Sequence, residues 1–285
     1  AYDNPEIMCF GTGASIITEG DFCFFKPDYT MIPAEMRDRT AKLSQIADEI
    51  CAKFPDGTSD ISKELTIHDY LVKICYYNND AADSGMAYTC VFNGYASCEG
   101  YAKATKYLLE RAGIKSICVT GEAENLSGQK ENHMWNIVSI NGENYHLDTT
   151  WDDPVKSGSS VSHIYFNLTD SEIMADHSNF ETDLKCTATA ENYFNASHSV
   201  FSDAGYYSRL NMQSVIIRNL EKGERCVQLR FSSKEAYDNA VYTLITESKA
   251  YEIQENIKNL RPDLDVAENI NYSKYDNFNI IELMF

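Results

Sequence analysis

The chain has 285 residues, of which 44% are hydrophobic and 12% aromatic, so it can bury a sizeable core and lacks the composition of a disordered segment. Its 43 acidic and 24 basic residues give a formal net charge of −19, which repels phosphate backbones and argues against a nucleic-acid partner. No apolar run reaches the roughly 18 residues that a membrane-spanning helix needs, so we expect no membrane span.

The nine cysteines contain no C-x-x-C pair, which argues against a structural zinc site. Their odd number predicts at least one thiol outside any disulfide within the chain. We interpret most of them as small buried hydrophobic residues. The sequence begins at Ala1 rather than methionine and shows no signal-peptide pattern, so we expect either a processed chain or part of a longer protein.

Strands and loops are predicted for the first 30 residues, which mix glycines, aromatic residues and acidic residues. A helix is predicted over residues 33–54, where apolar positions recur with helical spacing, and "PDGTSD" ends it with turn residues. A second helix is predicted from Ser62, and a loop containing Gly and Asp over residues 78–97.

The segment "YASCEGYAKATKYLLERAG" predicts an amphipathic helix that starts at Cys98 and stops at Gly113. A buried strand is predicted over residues 114–121, followed by the polar loop "ENLSGQKEN". The runs "HMWNIVSI" and "ENYHLDTTW" flank the dipeptide Asn141-Gly142, which is the strongest short signal for a β-hairpin.

The register of this hairpin makes a prediction about His133 and Asp148. A two-residue loop pairs Ile140 with Glu143, so Trp135 is expected opposite Asp148, and His133 opposite Thr150. His133 and Asp148 then lie diagonally on one face, with Cβ atoms about 7 Å apart, which a hydrogen bond between imidazole and carboxylate can span. A one-residue bulge would break this register.

The last 75 or so residues show a pattern of their own. Strands are predicted for "QSVIIRNL" and "RCVQLRFS", then a long helix over residues 233–260, then a closing hairpin in "INYSKYDNFNIIELMF". We predict a separate small α/β domain. It contains no titratable cluster that suggests catalysis, so substrate or partner binding is its default role.

Cys98 has a position that suits a nucleophile. The free N–H groups and the dipole of a helix start favour thiolate over thiol, and thiolate is the form that attacks a carbonyl. A histidine can take the thiol proton, and a carboxylate can fix its tautomer. His133 and Asp148 supply this pair for Cys98, whereas the other eight cysteines have no comparable partners in the sequence.

Other interpretations stay open on these residues alone. A cysteine at a helix start is more often inert than catalytic, and His133 could be a solvated histidine at a strand end. His146 competes for the role of base, since it shares a face with His133 and lies two residues from Asp148. His133, His146 and Asp148 are also the ligand types of a two-His-one-carboxylate metal centre, which we rank lower because it leaves the placement of Cys98 unexplained.

Three motifs in this order resemble the bacterial transglutaminase-like superfamily, which shares the papain-like fold of cysteine enzymes. They are "YASCEGYAKA", "HMWNIV" and "HLDTTWDDP". The corresponding family motifs are of the types G-x-C-x-G-Y-A, H-x-W-N and D-x-T-W-x-D-P, and Ala96 stands here at the first glycine. The stretches "TIHDYLVKICYYN" and "HIYFNLTDSEIMADH" are also similar to the extended family, so the resemblance covers about residues 60–180.

The resemblance implies roles for individual residues. Cys98 would be the nucleophile, His133 the base and acid, and Asp148 the orienting carboxylate, which favours His133 over His146. Two tryptophans and a tyrosine would support the site: Trp135 and Trp151 as walls, and Tyr88 as a cleft residue or oxyanion donor, although a core role is its simpler interpretation. Ser97 departs from the family pattern, which usually has Val before the cysteine.

The resulting prediction is an α+β protein with a transglutaminase-like (papain-like) core, in which a helix starting with the cysteine packs on an antiparallel sheet. We place an N-terminal extension at residues 1–60, the catalytic core at 61–190 and the small α/β domain at 205–285. The family implies a protein or peptide substrate, no metal or organic cofactor, and an extracellular or cell-surface location in bacteria.

The expected reaction is cysteine-dependent acyl transfer on amides through a thioester, with hydrolysis favoured over cross-linking. A binding module of the same fold with an idle triad is the alternative.

Overall fold

The computed structural model describes residues 3–125, 127–153 and 161–285, and all side chains there except those of residues 10–12. Three positions used in the sequence predictions lie outside the described residues: Ala1, Leu126 in the polar loop, and Pro154 at the end of the D-x-T-W-x-D-P motif.

Helices and short strands alternate along most of the chain. The helices are α1 (Pro33–Cys51), α2 (Asp60–Ile74), α3 (Cys98–Arg111), α4 (Asp170–Ile173), α5 (Tyr193–Ala196), α6 (Tyr206–Glu221), α7 (Lys234–Ala240) and α8 (Lys249–Leu260), with π-helical turns at Thr89–Asn93 and Val241–Thr246. The strands are β1 (Phe10–Glu19), β2 (Phe22–Tyr29), β3 (Tyr76–Tyr77), β4 (Tyr95–Ala96), β5 (Lys115–Glu124), β6 (Lys130–Ile140), β7 (Glu143–Leu147), β8 (Phe166–Leu168), β9 (His177–Ser178), β10 (Val200–Phe201), β11 (Cys226–Phe231), β12 (Asn271–Tyr275) and β13 (Ile280–Met284).

Strands β1 and β2 form a hairpin, which confirms the prediction of strands in this part of the chain. Strands β1 and β2 pair antiparallel down to Glu19 opposite Phe22, and Gly20 in the turn has φ +61°. The hairpin forms a two-stranded sheet of its own and carries exposed aromatic side chains, including Phe22 and Phe25.

The two helices predicted before the cysteine are confirmed, with small differences at their ends. Helix α1 ends at Cys51, and α2 begins at Asp60, where the Ser59 hydroxyl caps the first turn by accepting the N–H of Ser62. Their apolar faces pack into one hydrophobic core with α3 and the central sheet, through residues that include Leu43, Ala47, Ile67, Leu71, Tyr101, Leu108, Val138 and Ile140. These helices are therefore stabilised mainly by the packing of their apolar faces in this core.

The central sheet is antiparallel and has the strand order β8-β7-β6-β5-β9. Helix α3 packs against β5 and β6, so the cysteine at its start lies next to this sheet. The predicted register of the β6–β7 hairpin is confirmed, since Ile140 pairs with Glu143. Asn141 and Gly142 have φ values of 54° and 86°, as a two-residue hairpin turn of this kind requires.

The pairing of β6 with β7 ends earlier than predicted. Its last pair is Asn136 with Leu147, so the expected pairs of Trp135 with Asp148 and of His133 with Thr150 do not form in the described structure. After Leu147 the chain turns, because one carboxylate oxygen of Asp148 accepts the backbone N–H groups of Thr150 and Trp151. A local turn bonded to its own side chain competes here with the strand ladder.

The C-terminal residues build a second sheet, β10-β11-β13-β12, over a hydrophobic cluster of their own. The predicted closing hairpin is confirmed as β12 and β13. The prediction of a strand for "QSVIIRNL" is wrong, because this stretch lies in α6. Helix α6 buries one face, because its buried apolar residues follow helical spacing of three, one and four positions: Met212, Val215, Ile216 and Leu220.

The long helix predicted over residues 233–260 is also corrected. It consists of α7, a π-helical turn and α8, and Ser248 between the last two has φ +58°. A residue in this left-handed region ends one helix before the next begins.

The observed class is α+β, as predicted, with Cys98 starting a helix that packs on an antiparallel sheet. Within the described ranges, no helix is both long enough and apolar enough to cross a bilayer. The same residues contain no disulfide bond. The boundaries proposed for an N-terminal extension, a core and a C-terminal domain stay predictions.

Candidate active site

The half-buried Cys98 is the first residue of α3. Ser97 before it is extended, with φ −82° and ψ 176°, and in the described structure its side chain does not cap the helix. The Ser97 side chain therefore leaves the first N–H groups of the helix uncapped, at the positive end of the helix dipole where Cys98 lies.

The start of α3 is held by a close backbone contact at Gly100. A Cβ atom at this position would lie 2.2 Å from the carbonyl oxygen of Ser84 and 2.8 Å from Cβ of Ala96. Ser84 also accepts a hydrogen bond from the N–H of Ser97, at 3.0 Å. The glycine two residues after the cysteine therefore lets the preceding loop pack directly on the helix start.

His133 and Asp148 are in direct contact. His133 Nε2 lies 2.7 Å from Asp148 Oδ2, and both side chains are buried. Cys98 lies close enough to His133 to raise the pKa of the imidazole. Because Nε2 is engaged by the carboxylate, Nδ1 is the ring nitrogen that remains for the thiol. Cys98, His133 and Asp148 thus form a continuous chain of contacts.

Asp148 accepts hydrogen bonds from four donors. Its Oδ1 accepts the backbone N–H groups of Thr150 at 3.0 Å and Trp151 at 3.2 Å. Its Oδ2 contacts His133 and, at 3.1 Å, Nε2 of a second histidine, His177. A fully buried carboxylate with this many donors is held in the ionised form.

His177 extends the network beyond Asp148. It lies on β9, at the edge of the central sheet, opposite Ala123 of β5. Its Nδ1 is 2.6 Å from Asp176 Oδ1, and Tyr165 donates its hydroxyl to the other oxygen of Asp176 at 2.7 Å.

These contacts shift the pKa values of the three central groups. Burial disfavours protonated His133, but the charge of Asp148 and hydrogen bonds to Asp148 and Cys98 raise the pKa of His133 to about 10. Burial alone would raise the pKa of Asp148, yet the two histidines hold it well below its usual range. Burial also opposes protonation of His177, but its bonds to Asp148 and Asp176 raise its pKa.

Two tryptophans enclose the imidazole of His133. The Trp135 ring is nearly parallel to it at 5.9 Å between centroids, and the Trp151 ring is tilted at 5.5 Å. Trp135 is buried and Trp151 is partly buried. Both rings pack against the imidazole, and their role as walls of an active site stays a prediction.

Tyr88 and His146 have other neighbours. Tyr88 is buried in the core, where its ring stacks on Phe92 at 5.0 Å and the Arg39 guanidinium lies 5.1 Å above it. His146 accepts the indole N–H of Trp135 on Nδ1 at 3.0 Å and contacts Asp170 through Nε2 at 3.0 Å. The oxyanion role of Tyr88 stays a prediction.

Three groups of potential metal ligands are compact within the described residues: His68 with Asp69 and His163, His133 with Asp148 and His177, and His146 with Asp170 and Cys186. The predicted alternative set of His133, His146 and Asp148 is not among them, and His146 instead lies with Asp170 and Cys186. In the second group the ligand atoms hydrogen bond directly to one another, at 2.7 and 3.1 Å.

The family model of the transglutaminase-like superfamily matches residues 44–149, from the middle of α1 to the turn that carries Asp148. This part of the chain is a transglutaminase-like domain. The match contains Cys98, His133 and Asp148, and it agrees with the resemblance seen in the sequence motifs. No curated protein is similar enough to the chain to count as a match.

Several solved structures are partly similar to the chain that carries this transglutaminase-like domain. A structure described as that of a TGase has a TM-score of 0.35 and 11% identity, over 52% of this chain and 45% of that chain. A proposed cysteine protease from Cytophaga hutchinsonii has a TM-score of 0.33 and 14% identity, over 63% and 80%. LapG from Legionella pneumophila has a TM-score of 0.30 and 15% identity, over 54% and 78%. The chain spans less than half the length of the first of these proteins, and we draw no conclusion about activity from these likenesses.

The contact between His177 and Asp148 was missed in the sequence. His177 belongs to the stretch "HIYFNLTDSEIMADH" that resembles the extended family, but nothing there indicates a role for it. It follows Asp148 by 29 positions and reaches it only because β9 joins the sheet edge beside β5. The catalytic assignment of Cys98, His133 and Asp148 stays a prediction.

Proposed function

We propose that the transglutaminase-like domain is a cysteine-dependent hydrolase that cleaves amide bonds of proteins or peptides through a thioester intermediate. One observation carries the proposal. A half-buried thiol at a helix start lies close to a buried histidine, and Nε2 of this histidine is 2.7 Å from an ionised carboxylate. Nucleophile, base and orienting group in this order are the arrangement used for acyl transfer.

In the first half of the reaction, the Cys98 thiolate forms a bond to the carbonyl carbon of the amide. The carbonyl oxygen becomes negatively charged, and the N–H of Cys98 at the start of α3 is placed to stabilise it. The C–N bond then breaks while protonated His133 gives its proton to the leaving amine. The thioester and neutral His133 remain.

In the second half, His133 takes a proton from water, and the resulting hydroxide forms a bond to the thioester carbon. The C–S bond breaks, which releases the carboxylic acid and restores the thiolate beside protonated His133. Asp148 keeps the imidazole in the tautomer with its proton on Nε2, so that Nδ1 is free to exchange the proton. If a lysine amine replaces water, the same steps give a cross-link.

A comparison of variants on a peptide library tests the hydrolase. Cleavage is followed by mass spectrometry with the unchanged protein, Cys98→Ala, and Cys23→Ala as the matched control, because Cys23 is an exposed thiol in the N-terminal hairpin. We expect the Cys98 variant to lose activity and the control to keep it. Equal turnover by wild type and Cys98→Ala contradicts the proposal.

The same assay shows whether water or an amine attacks the thioester. Heavy-oxygen water labels the new carboxylate if the thioester is hydrolysed, whereas a fluorescent primary amine becomes attached if it is aminolysed. We expect the oxygen label to dominate.

The rate of thiol alkylation near neutral pH distinguishes an active hydrolase from a binding module with an inactive triad. In the folded protein Cys98 should react with iodoacetamide faster than Cys23, and unfolding should remove the difference. Equal rates in the folded protein would favour the idle module.

A further inference from the structure

Two histidines contact the same oxygen atom of Asp148, Oδ2. His133 Nε2 and His177 Nε2 lie 2.7 and 3.1 Å from Asp148 Oδ2, and the centroids of the two rings are 5.3 Å apart. In a triad the carboxylate needs only one histidine. The second imidazole therefore requires an explanation of its own.

The hydrogen-bond partners of His177 define its protonation state. Each of its nitrogens faces a carboxylate oxygen, Asp148 at 3.1 Å and Asp176 at 2.6 Å. An ionised carboxylate only accepts, and a neutral imidazole can donate from one nitrogen only. A neutral His177 would point a lone pair at a carboxylate, whereas the imidazolium satisfies both contacts.

The surroundings of His177 also favour this state. The side chain is fully buried between the rings of Trp135 and Trp151, whose centroids lie 4.9 and 4.7 Å away. The titratable or charged groups near it are Asp148, Asp176, His133, Tyr165, His146 and, from the neighbouring strand, Glu122, which bonds to Asn179. Two carboxylates in direct contact supply more negative charge than the neighbouring histidines oppose.

We propose that His177 is a permanently protonated positioning residue, which fixes Asp148 against His133 and limits how strongly that carboxylate holds a proton on His133. Its consequence for catalysis rests on the proposed function. The protonation state of His177 and its effect on His133 do not depend on that function, so the two can fail separately.

The effect on His133 follows from the distance between the two rings. Two positive charges 5.3 Å apart disfavour each other by an amount that corresponds to about one to two pH units at an effective dielectric constant of roughly 20 to 40. Removing the charge of His177 should therefore make His133 more basic by about that shift. Asp176, no longer neutralised, acts in the same direction.

The first test measures the protonation of His177 directly. The protein carrying Cys98→Ala is labelled with nitrogen-15 in its histidines, and the ring signals are followed by NMR from pH 5 to about pH 12. We expect both ring nitrogens of His177 to carry a proton near neutral pH. A neutral tautomer of His177 at pH 7 overturns the proposal without any reference to activity.

The second test measures the effect on His133. The titration of His133 is compared in Cys98→Ala protein that also carries His177→Gln or His146→Gln. Glutamine at 177 can still donate to Asp148 but has no charge. His146 is the matched control, since it is equally buried and also contacts one carboxylate, Asp170. We expect the His133 midpoint to rise by about one to two pH units with His177→Gln only, and an unchanged midpoint overturns the proposal.

A second variant covers the case in which His177→Gln does not fold. Asp176→Asn removes one of the two carboxylates on His177, so His177 should lose its proton within the measured range, and the His133 midpoint should then rise. If His177 shows no titration in this variant and His133 is unmoved, the proposal is wrong.

The pH dependence of Cys98 alkylation gives the catalytic readout. With Cys98 restored, the upper inflection of the rate should move to higher pH in His177→Gln, by the same amount as the His133 midpoint. A uniform loss of rate with no movement of the inflection would indicate a packing role and contradict the proposal. If Cys98 in the unchanged protein reacts like an ordinary thiol, the proposed function fails, and the NMR titrations still decide the role of His177.

Discussion

Replacing Asp148 by asparagine should separate the charge of this residue from its shape. The amide has nearly the volume of the carboxylate, so the core around it is not emptied. However, Asp148 accepts from two backbone N–H groups on Oδ1 and from His133 and His177 on Oδ2. An amide has one oxygen, so in either orientation its NH₂ group faces donors where the carboxylate accepted.

The cost can be approximated from those contacts. If the oxygen keeps the two backbone groups, the NH₂ group meets two imidazoles, and each must accept on Nε2 or lose its partner. Leaving one member of a buried charged pair without its partner costs about 3 to 5 kcal/mol. We expect Asp148→Asn to lower the free energy of unfolding by that amount at pH 7. His133 accepting on Nε2 places its proton on Nδ1, toward Cys98, and this wrong tautomer should slow the reaction of the thiol about 10³- to 10⁴-fold.

The assay combines urea unfolding with the rate of Cys98 alkylation. Asp170→Asn is the matched control, because Asp170 contacts one histidine, His146, and is partly exposed. It should cost about 1 kcal/mol and leave the alkylation rate unchanged. If Asp148→Asn is as stable and as reactive as the wild type, the four contacts of Asp148 neither stabilise the fold nor orient His133.

Four further predictions concern single groups. The unfolding free energy should fall as the pH rises from about 6.5 to 10, because the folded state keeps a proton on His133 that the unfolded chain has released; His133→Gln should reduce this slope by about 1.4 kcal/mol per pH unit in urea titrations. Burial raises the pKa of Glu64 to about 8, so Glu64→Gln should stabilise the protein by about 3 kcal/mol more at pH 8 than at pH 5, and equal gains would contradict this. Gly100→Ala should cost about 1 to 3 kcal/mol in thermal unfolding, because its Cβ would overlap the Ser84 carbonyl oxygen, and an unchanged stability would show that the loop yields. Elemental analysis should give the same iron and zinc content for the wild type and for His146→Ala. Stoichiometric metal that is lost in the variant would instead support the metal centre.

The parts of the site that the sequence predicts are those determined by local rules. Cys98 begins α3 because a small-residue segment precedes an amphipathic pattern that ends at Gly113. The hairpin register follows from Asn141-Gly142, whose positive φ values allow only one type of tight turn. Helical spacing and turn chemistry act over a few residues, and no distant contact overrides them at these positions.

The parts that the sequence does not predict depend on contacts between distant segments. Asp148 reaches His133 from a turn and not from a paired strand, because its own side chain bonds to the two N–H groups that follow. The stretch "QSVIIRNL" is rich in residues that favour strands, yet it is a helix because one of its faces packs on β11. His177 comes to Asp148 through the placement of β9, which is only two residues long.

Under the proposed function, the proton balance of the site gives the second histidine a use. A general base works best when its pKa is close to the working pH. The pKa of His133 is already raised to about 10 in the intact site, because a buried carboxylate at 2.7 Å outweighs the effect of burial on the imidazole, and without the charge of His177 it would be higher still. His133 would then be a weak acid toward the leaving amine. A fixed positive charge on the far side of the same carboxylate weakens that hold, and it keeps Asp148 ionised and correctly oriented throughout the reaction. The same tuning cannot come from moving Asp148 away, since the tautomer of His133 depends on that contact.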